Sequence, residues 1–158
     1  MSDFEPRGRM LLTVLVGLIL TVLPLPPWLD SARPAFLVVT VLYWSIASPR
    51  TGGIALGWFS GLLLDVFQGP VLGQHALALA LITYLAVREH QKIRFKPALQ
   101  QSLIIFALLA FYEFVVFAID GWSGHPVTNP MRWVHTVTGA VIWPFAAAFL
   151  NHSSGRRA

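Results

Sequence analysis

The sequence contains no cysteine, so no disulfide can staple its loops and no thiol can serve as nucleophile or metal ligand. Charge is scarce too. Asp, Glu, Lys and Arg make up 11% of the 158 residues, which leaves no stretch polar enough for a separate soluble domain. No Gly-rich loop precedes a Lys-Ser/Thr pair, so a nucleotide-binding phosphate loop is excluded. The histidines, at 75, 90, 125, 135 and 152, lack metal-ligand spacing, and neither a metal nor a cofactor is expected. Gly57-Trp58-Phe59-Ser60-Gly61 is only superficially a serine elbow, because its glycine spacing is wrong and no partnered base is evident.

What is abundant is apolar. Hydrophobic residues are 56% of the chain and mean hydropathy is +0.66. Six apolar runs, at about 10–25, 34–47, 52–67, 72–87, 98–119 and 133–150, are separated by short polar or Pro/Gly-rich seams. The runs are continuous and Leu/Ala-rich rather than alternating, which predicts helices and not a membrane β-barrel. The expected fold class is therefore all-α: a polytopic integral membrane protein with six transmembrane helices, forming one domain over 1–158. A helix needs roughly 20 residues to cross a bilayer core. The second, third and fourth runs are at or below that length, so they borrow flanking residues or sit where the bilayer is thin.

The basic residues orient the chain. Arg7, Arg9, Arg50, Arg88, Lys92, Arg94, Lys96, Arg156 and Arg157 fall on one side of alternating spans, and of the 11 Lys and Arg only Arg33 and Arg132 fall on the other. The positive-inside rule then places both termini in the cytoplasm. The loop carrying Arg88, Lys92, Arg94 and Lys96 is suited to anionic lipid headgroups or a cytoplasmic partner, and the high pI of about 10.1 is not read as nucleic-acid binding. The first run ends in prolines and Trp28 rather than a small-residue cleavage site, so it is expected to be retained as a helix. Trp28, Trp122 and Trp133 are expected at the outer interface and Trp44 at the inner one, with Trp58 and Trp143 filling the core. Pro144 should kink the last helix.

Ionisable residues inside spans are costly. Asp65, His75, Glu113, Arg132 and His135 all count to the outer half, where they could converge on Asp65. A neutralised polar knot that fixes helix packing is the preferred reading over a proton or substrate relay, since no cytoplasmic-half counterpart is present. In the third run Gly53, Gly57 and Gly61 are four apart and Asp65 continues the series. That spacing builds one smooth helix groove, which either another protein's helix or a helix of the same chain could fill.

The stretch Arg50-Thr51-Gly52-Gly53, Gly57, Gly61-Leu62-Leu63-Leu64-Asp65, then Gly69-Pro70-Val71-Leu72-Gly73-Gln74-His75-Ala76-Leu77 and Tyr84, resembles the rod shape-determining protein MreD family. Glu113 in the fifth run and Trp143-Pro144 in the sixth fit it as well. The resemblance implies a non-enzymatic inner-membrane component of the bacterial elongation machinery that regulates peptidoglycan synthesis and cell shape. It implies MreC as direct partner, with MreB, RodA and its penicillin-binding transpeptidase in the same complex. It also implies a fold similar to substrate-binding subunits of energy-coupling-factor vitamin transporters. The competing function is a small-molecule-binding membrane subunit of a transporter, with the polar cluster lining an outward pocket. An intramembrane enzyme would need a nucleophile and a base at one depth, and none is evident.

The charge bias carries a test. A reporter active only in the periplasm, fused after Ala158, should stay silent, and a strong signal from it would refute the orientation.

Overall fold

The computed structural model describes residues 4–30, 32–68, 71–125 and 130–153. Gly69 and Pro70, which the sequence marks as the stop of the third run, and Arg156 and Arg157 lie outside the described residues. Among the described residues the fold is all-helical, without a strand. The elements are α1 (Phe4–Val22), α2 (Pro27–Asp30), α3 (Phe36–Ala47), α4 (Ile54–Gln68), α5 (Gln74–Arg94), α6 (Ala98–Trp122), a 3-10 turn (Pro130–Trp133) and α7 (Val134–Ser153).

Local chemistry sets most of the boundaries. Pro34 and Pro97 stand just before α3 and α6, where a missing N–H costs nothing. Gly52-Gly53 open α4, and Gly124, at φ +76°, follows the end of α6 in the left-handed conformation that favours glycine. The helix α5 runs on past Val87 to Arg94, because charged residues end a membrane run without ending a helix. The helix α7 continues through Pro144. The short α2 lies in the loop after α1, where the sequence shows only a proline-rich seam.

The centre of the bundle is α3. Ten consecutive residues, Leu37 to Ile46, are buried, so this helix is apolar all round and has no lipid-facing side. It packs against α1, α4, α5 and α7. Three hydrogen bonds tie aromatic side chains across the bundle: Trp44 Nε1 donates to Thr13 Oγ1 (2.8 Å), Tyr43 Oη to Asn151 Oδ1 (2.7 Å) and Trp143 Nε1 to Gln101 Oε1 (3.2 Å). Trp44 is thus buried in the bundle, while Trp58, at 44% exposure, faces outward rather than filling the core. The outer faces of α1, α4, α6 and α7 present large apolar side chains. Two stretches, Ala98–Trp122 and Pro130–His152, are long and apolar enough to cross a membrane, and Phe36–Ala47 and Ile54–Gln68 are apolar but shorter.

The most extensive contact is between α4 and α5, and the glycines make it close. A Cβ on Gly61 would lie 2.4 Å from Ala76 Cα, and one on Gly57 would lie 2.6 Å from Thr83 Oγ1 and 3.0 Å from the Leu79 carbonyl. At both positions the groove is filled by α5 of the same chain, which leaves no room for a foreign helix there. Gly53 sits apart from this contact, with only the Pro49 carbonyl near its would-be Cβ.

Gly61→Ala should therefore force two backbones apart, at roughly 1–3 kcal/mol or more. Gly121→Ala, with nothing within 4 Å, should be close to neutral. Thermal unfolding of the purified proteins in one detergent checks this, and equal transition temperatures would remove the close contact from the account.

Candidate functional site

The second half of the small-residue contact is electrostatic. The loop between α4 and α5 closes with Gly73 at φ +94°, a conformation that only glycine adopts without strain. The first N–H groups of α5 then point back at α4. Asp65, 3% exposed near the end of α4, accepts from the backbone N–H of Gly73 (2.9 Å), His75 (2.9 Å) and Ala76 (3.2 Å). His75 Nδ1 lies 2.8 Å from the same carboxylate. An ionised carboxylate only accepts, so Nδ1 carries the proton. Asp65 is in effect the N-cap of the following helix, supplied from the preceding one. The positive end of the helix dipole and four donors offset its desolvation.

A second network lies beside it. Arg132, in the 3-10 turn, donates from Nε to Glu113 Oε2 (3.2 Å) and from a terminal nitrogen to Asp120 Oδ2 (2.9 Å). Gln74, the first residue of α5, donates its amide to Asp120 Oδ1 (2.6 Å) and to the Val116 carbonyl (3.3 Å). A third group gathers on Arg33. Its guanidinium pairs with Asp30 (3.0 Å) and donates to the carbonyls of Thr21 and Leu23 at the end of α1. His135 donates from Nδ1 to the Arg33 carbonyl, and Thr21 also receives Gln68 and holds the Leu37 N–H.

These groups surround one cavity of about 320 Å³. It sits where α1, α4 and α6 end and α3, α5 and α7 begin, so one end of the bundle is polar and hollow. His75, Glu113, Arg132 and His135 line it, with Asp65 directly behind His75. They do not converge on Asp65: only His75 reaches it, while Arg132 serves Glu113 and Asp120, and His135 holds the Arg33 backbone. Three residues that the sequence reading passed over, Arg33, Gln74 and Asp120, also line the cavity and are buried. A signal for one of them was present, since Arg33 and Arg132 are the two basic residues that depart from the charge bias, and both end here. Among the described residues no group of His, Asp or Glu is arranged to hold a metal ion.

Arg88, Lys92, Arg94 and Lys96 are at the opposite end of α5, all exposed, with the exposed ring of Phe95 among them. Lys92 reaches Glu89 at 2.6 Å, and this hydrogen bond holds the Glu89 carboxyl below its ordinary range. A carboxyl lowered in this way favours the folded state above its unfolded pKa and loses that contribution as the pH falls.

Compared with known proteins, the chain matches the family described as rod shape-determining protein MreD over residues 5–153. A curated relative, the rod shape-determining protein MreD of Haemophilus influenzae, is 28% identical over 134 residues, covering 82% of this chain and 80% of the relative. No solved structure gives a significant match.

The Asp65 geometry sets an order among substitutions. Asp65→Leu removes the acceptor for four N–H donors and should cost more than the 1–3 kcal/mol typical, very roughly, of one buried unpaired group. Asp65→Asn keeps one acceptor oxygen and should be milder. Both are read as detergent-solubilised thermal stability at matched membrane levels. Equal loss in the two variants would show that the cap is not what Asp65 supplies.

Proposed function

The chain belongs to the rod shape-determining MreD family, and from that premise we propose that it is a multi-pass, non-enzymatic component of the bacterial inner-membrane elongation machinery. In this reading it binds MreC directly and sits in one complex with MreB, RodA and the penicillin-binding transpeptidase, and through them it helps to regulate peptidoglycan synthesis and cell shape. The observation that carries the reading is the extent of the family match, residues 5–153, which spans nearly every element of the fold.

Physical features support membership of a membrane complex. The helices α1 and α3 to α7 serve as six spans within a single domain. The two longest apolar stretches cross unaided, and the shorter ones draw on their flanks or on a thinned bilayer. Both termini and the exposed basic end of α5 then face the cytoplasm, where anionic lipid is the natural contact for Arg88, Lys92, Arg94 and Lys96. The polar cavity falls at the outer end. With Gly57 and Gly61 occupied by α5, partner contact belongs on the apolar outer faces of the bundle and not in the glycine groove.

One observation favours a second reading. The cavity at the outer end suits a small-molecule-binding subunit of a transporter, similar in fold to the substrate-binding subunits of energy-coupling-factor systems.

Affinity purification of the tagged chain in mild detergent separates the two. MreC should be enriched well above a control membrane protein of similar size, and depletion of the chain should round the cells. A preparation without MreC, from cells that stay rod-shaped, would overturn the scaffold reading.

A further inference from the structure

The outer cavity is not electrically closed. Arg33 is matched by Asp30, and Asp65 is held by helix N–H groups and His75. Arg132 alone faces two carboxylates, Glu113 and Asp120. With both carboxylates ionised and the histidines neutral, this corner carries one negative charge in excess. It also carries an acceptor to spare. Asp120 is used on both oxygens, but Glu113 Oε1 makes no hydrogen bond among the described residues. Gln74, 2% exposed, spends its amide N–H groups on Asp120 and Val116 and leaves Oε1 without a partner. That oxygen has no surface open to the cavity, so the acceptor left to a ligand is Glu113 Oε1. The lining also includes the apolar residues Pro34, Ala35, Val38 and Leu64.

We propose that this cavity binds an organic monocation, an alkylammonium group whose N–H donors reach Glu113 and whose carbon chain lies on the apolar residues of the lining. The surplus charge selects a cation over a neutral or anionic isostere. The spare acceptor selects a protonated amine over a quaternary one, which has no N–H to give. The volume, about 320 Å³, takes a short amine whole or the end of a lysine side chain. The inference does not depend on the identity of the protein partners.

The test uses the full chain in non-ionic detergent at fixed ionic strength. Binding of n-butylammonium is measured by calorimetry and by thermal shift, against butanol, butyrate and tetramethylammonium. Butylammonium should bind at least about tenfold more tightly than any of the three, the margin expected of one charge-assisted hydrogen bond. Nα-acetyl-lysine amide is run beside it: binding of both assigns the site to a polypeptide lysine, and binding of butylammonium alone to a free amine. Glu113→Gln removes the surplus charge and keeps an acceptor, and should weaken butylammonium by about tenfold or more. If that variant fails to fold, the wild-type comparison decides by itself. Equal affinity for butylammonium and butanol, or no binding of either, overturns the proposal and leaves the surplus charge to a proton.

Discussion

Everything at the polar end of this bundle depends on how the Asp65 carboxylate is satisfied. It joins α4 to α5 by taking up the N–H groups that α5 cannot use itself. That bond fixes the direction in which α5 leaves the loop, and so the positions of Gln74 and His75 on the cavity wall. The glycine contacts farther along the same pair of helices are the steric half of the same joint. Without close approach at Gly61 the carboxylate would not reach Ala76, and without the carboxylate the polar start of α5 would be left unpaired in a region where water cannot compensate. Apolar burial gives little drive between helices surrounded by lipid, so close packing and hydrogen bonds carry the association.

The helices other than α2 were legible because each is built on a continuous apolar run closed by proline, glycine or charge. The glycine series and its terminal carboxylate were legible for the same reason: spacing along one helix is a property of sequence. The acceptor role of Asp65 was not, because its donors are backbone groups of another helix, presented by a loop whose geometry rests on Gly73 at positive φ. Asp120 lies just past the apolar run 98–119 and Arg33 between two runs, and hydropathy cannot tell a residue that leaves the bundle from one that folds back into it. The packing of Trp44 was hidden on similar grounds. Hydropathy gives its position along the helix, but not that α3 is enclosed by its neighbours or that Thr13 on α1 takes its indole N–H.

The two ends of the molecule differ in kind. At one, Arg88, Lys92, Arg94 and Lys96 are exposed, and the carboxylate that meets Arg88 and Lys92 is Glu89 on the same helix. At the other, Arg33 and Arg132 are drawn inward, each tied to carboxylates. A buried ion pair contributes little net stability, because desolvation offsets most of the Coulomb term. What such a network does supply is register, since its hydrogen bonds tie Gln74 on α5, Glu113 and Asp120 on α6 and Arg132 in the 3-10 turn to one another.

The enclosed position of α3 bears on how the chain is made. Ribosomal synthesis delivers α3 before α4, α5 and α7, yet its buried faces touch all three. Thr40 and Ser45 meet this by turning back on their own helix, to the carbonyls of Phe36 and Val41, whereas the phenol of Tyr43 must wait for a later helix. The phenol is answered last, by Asn151 in the closing turns of α7. The core is thus completed only when α7 docks. Until then the nascent bundle stays open on that face, and the docking of α7 is the event that distinguishes an assembled bundle from an unassembled one.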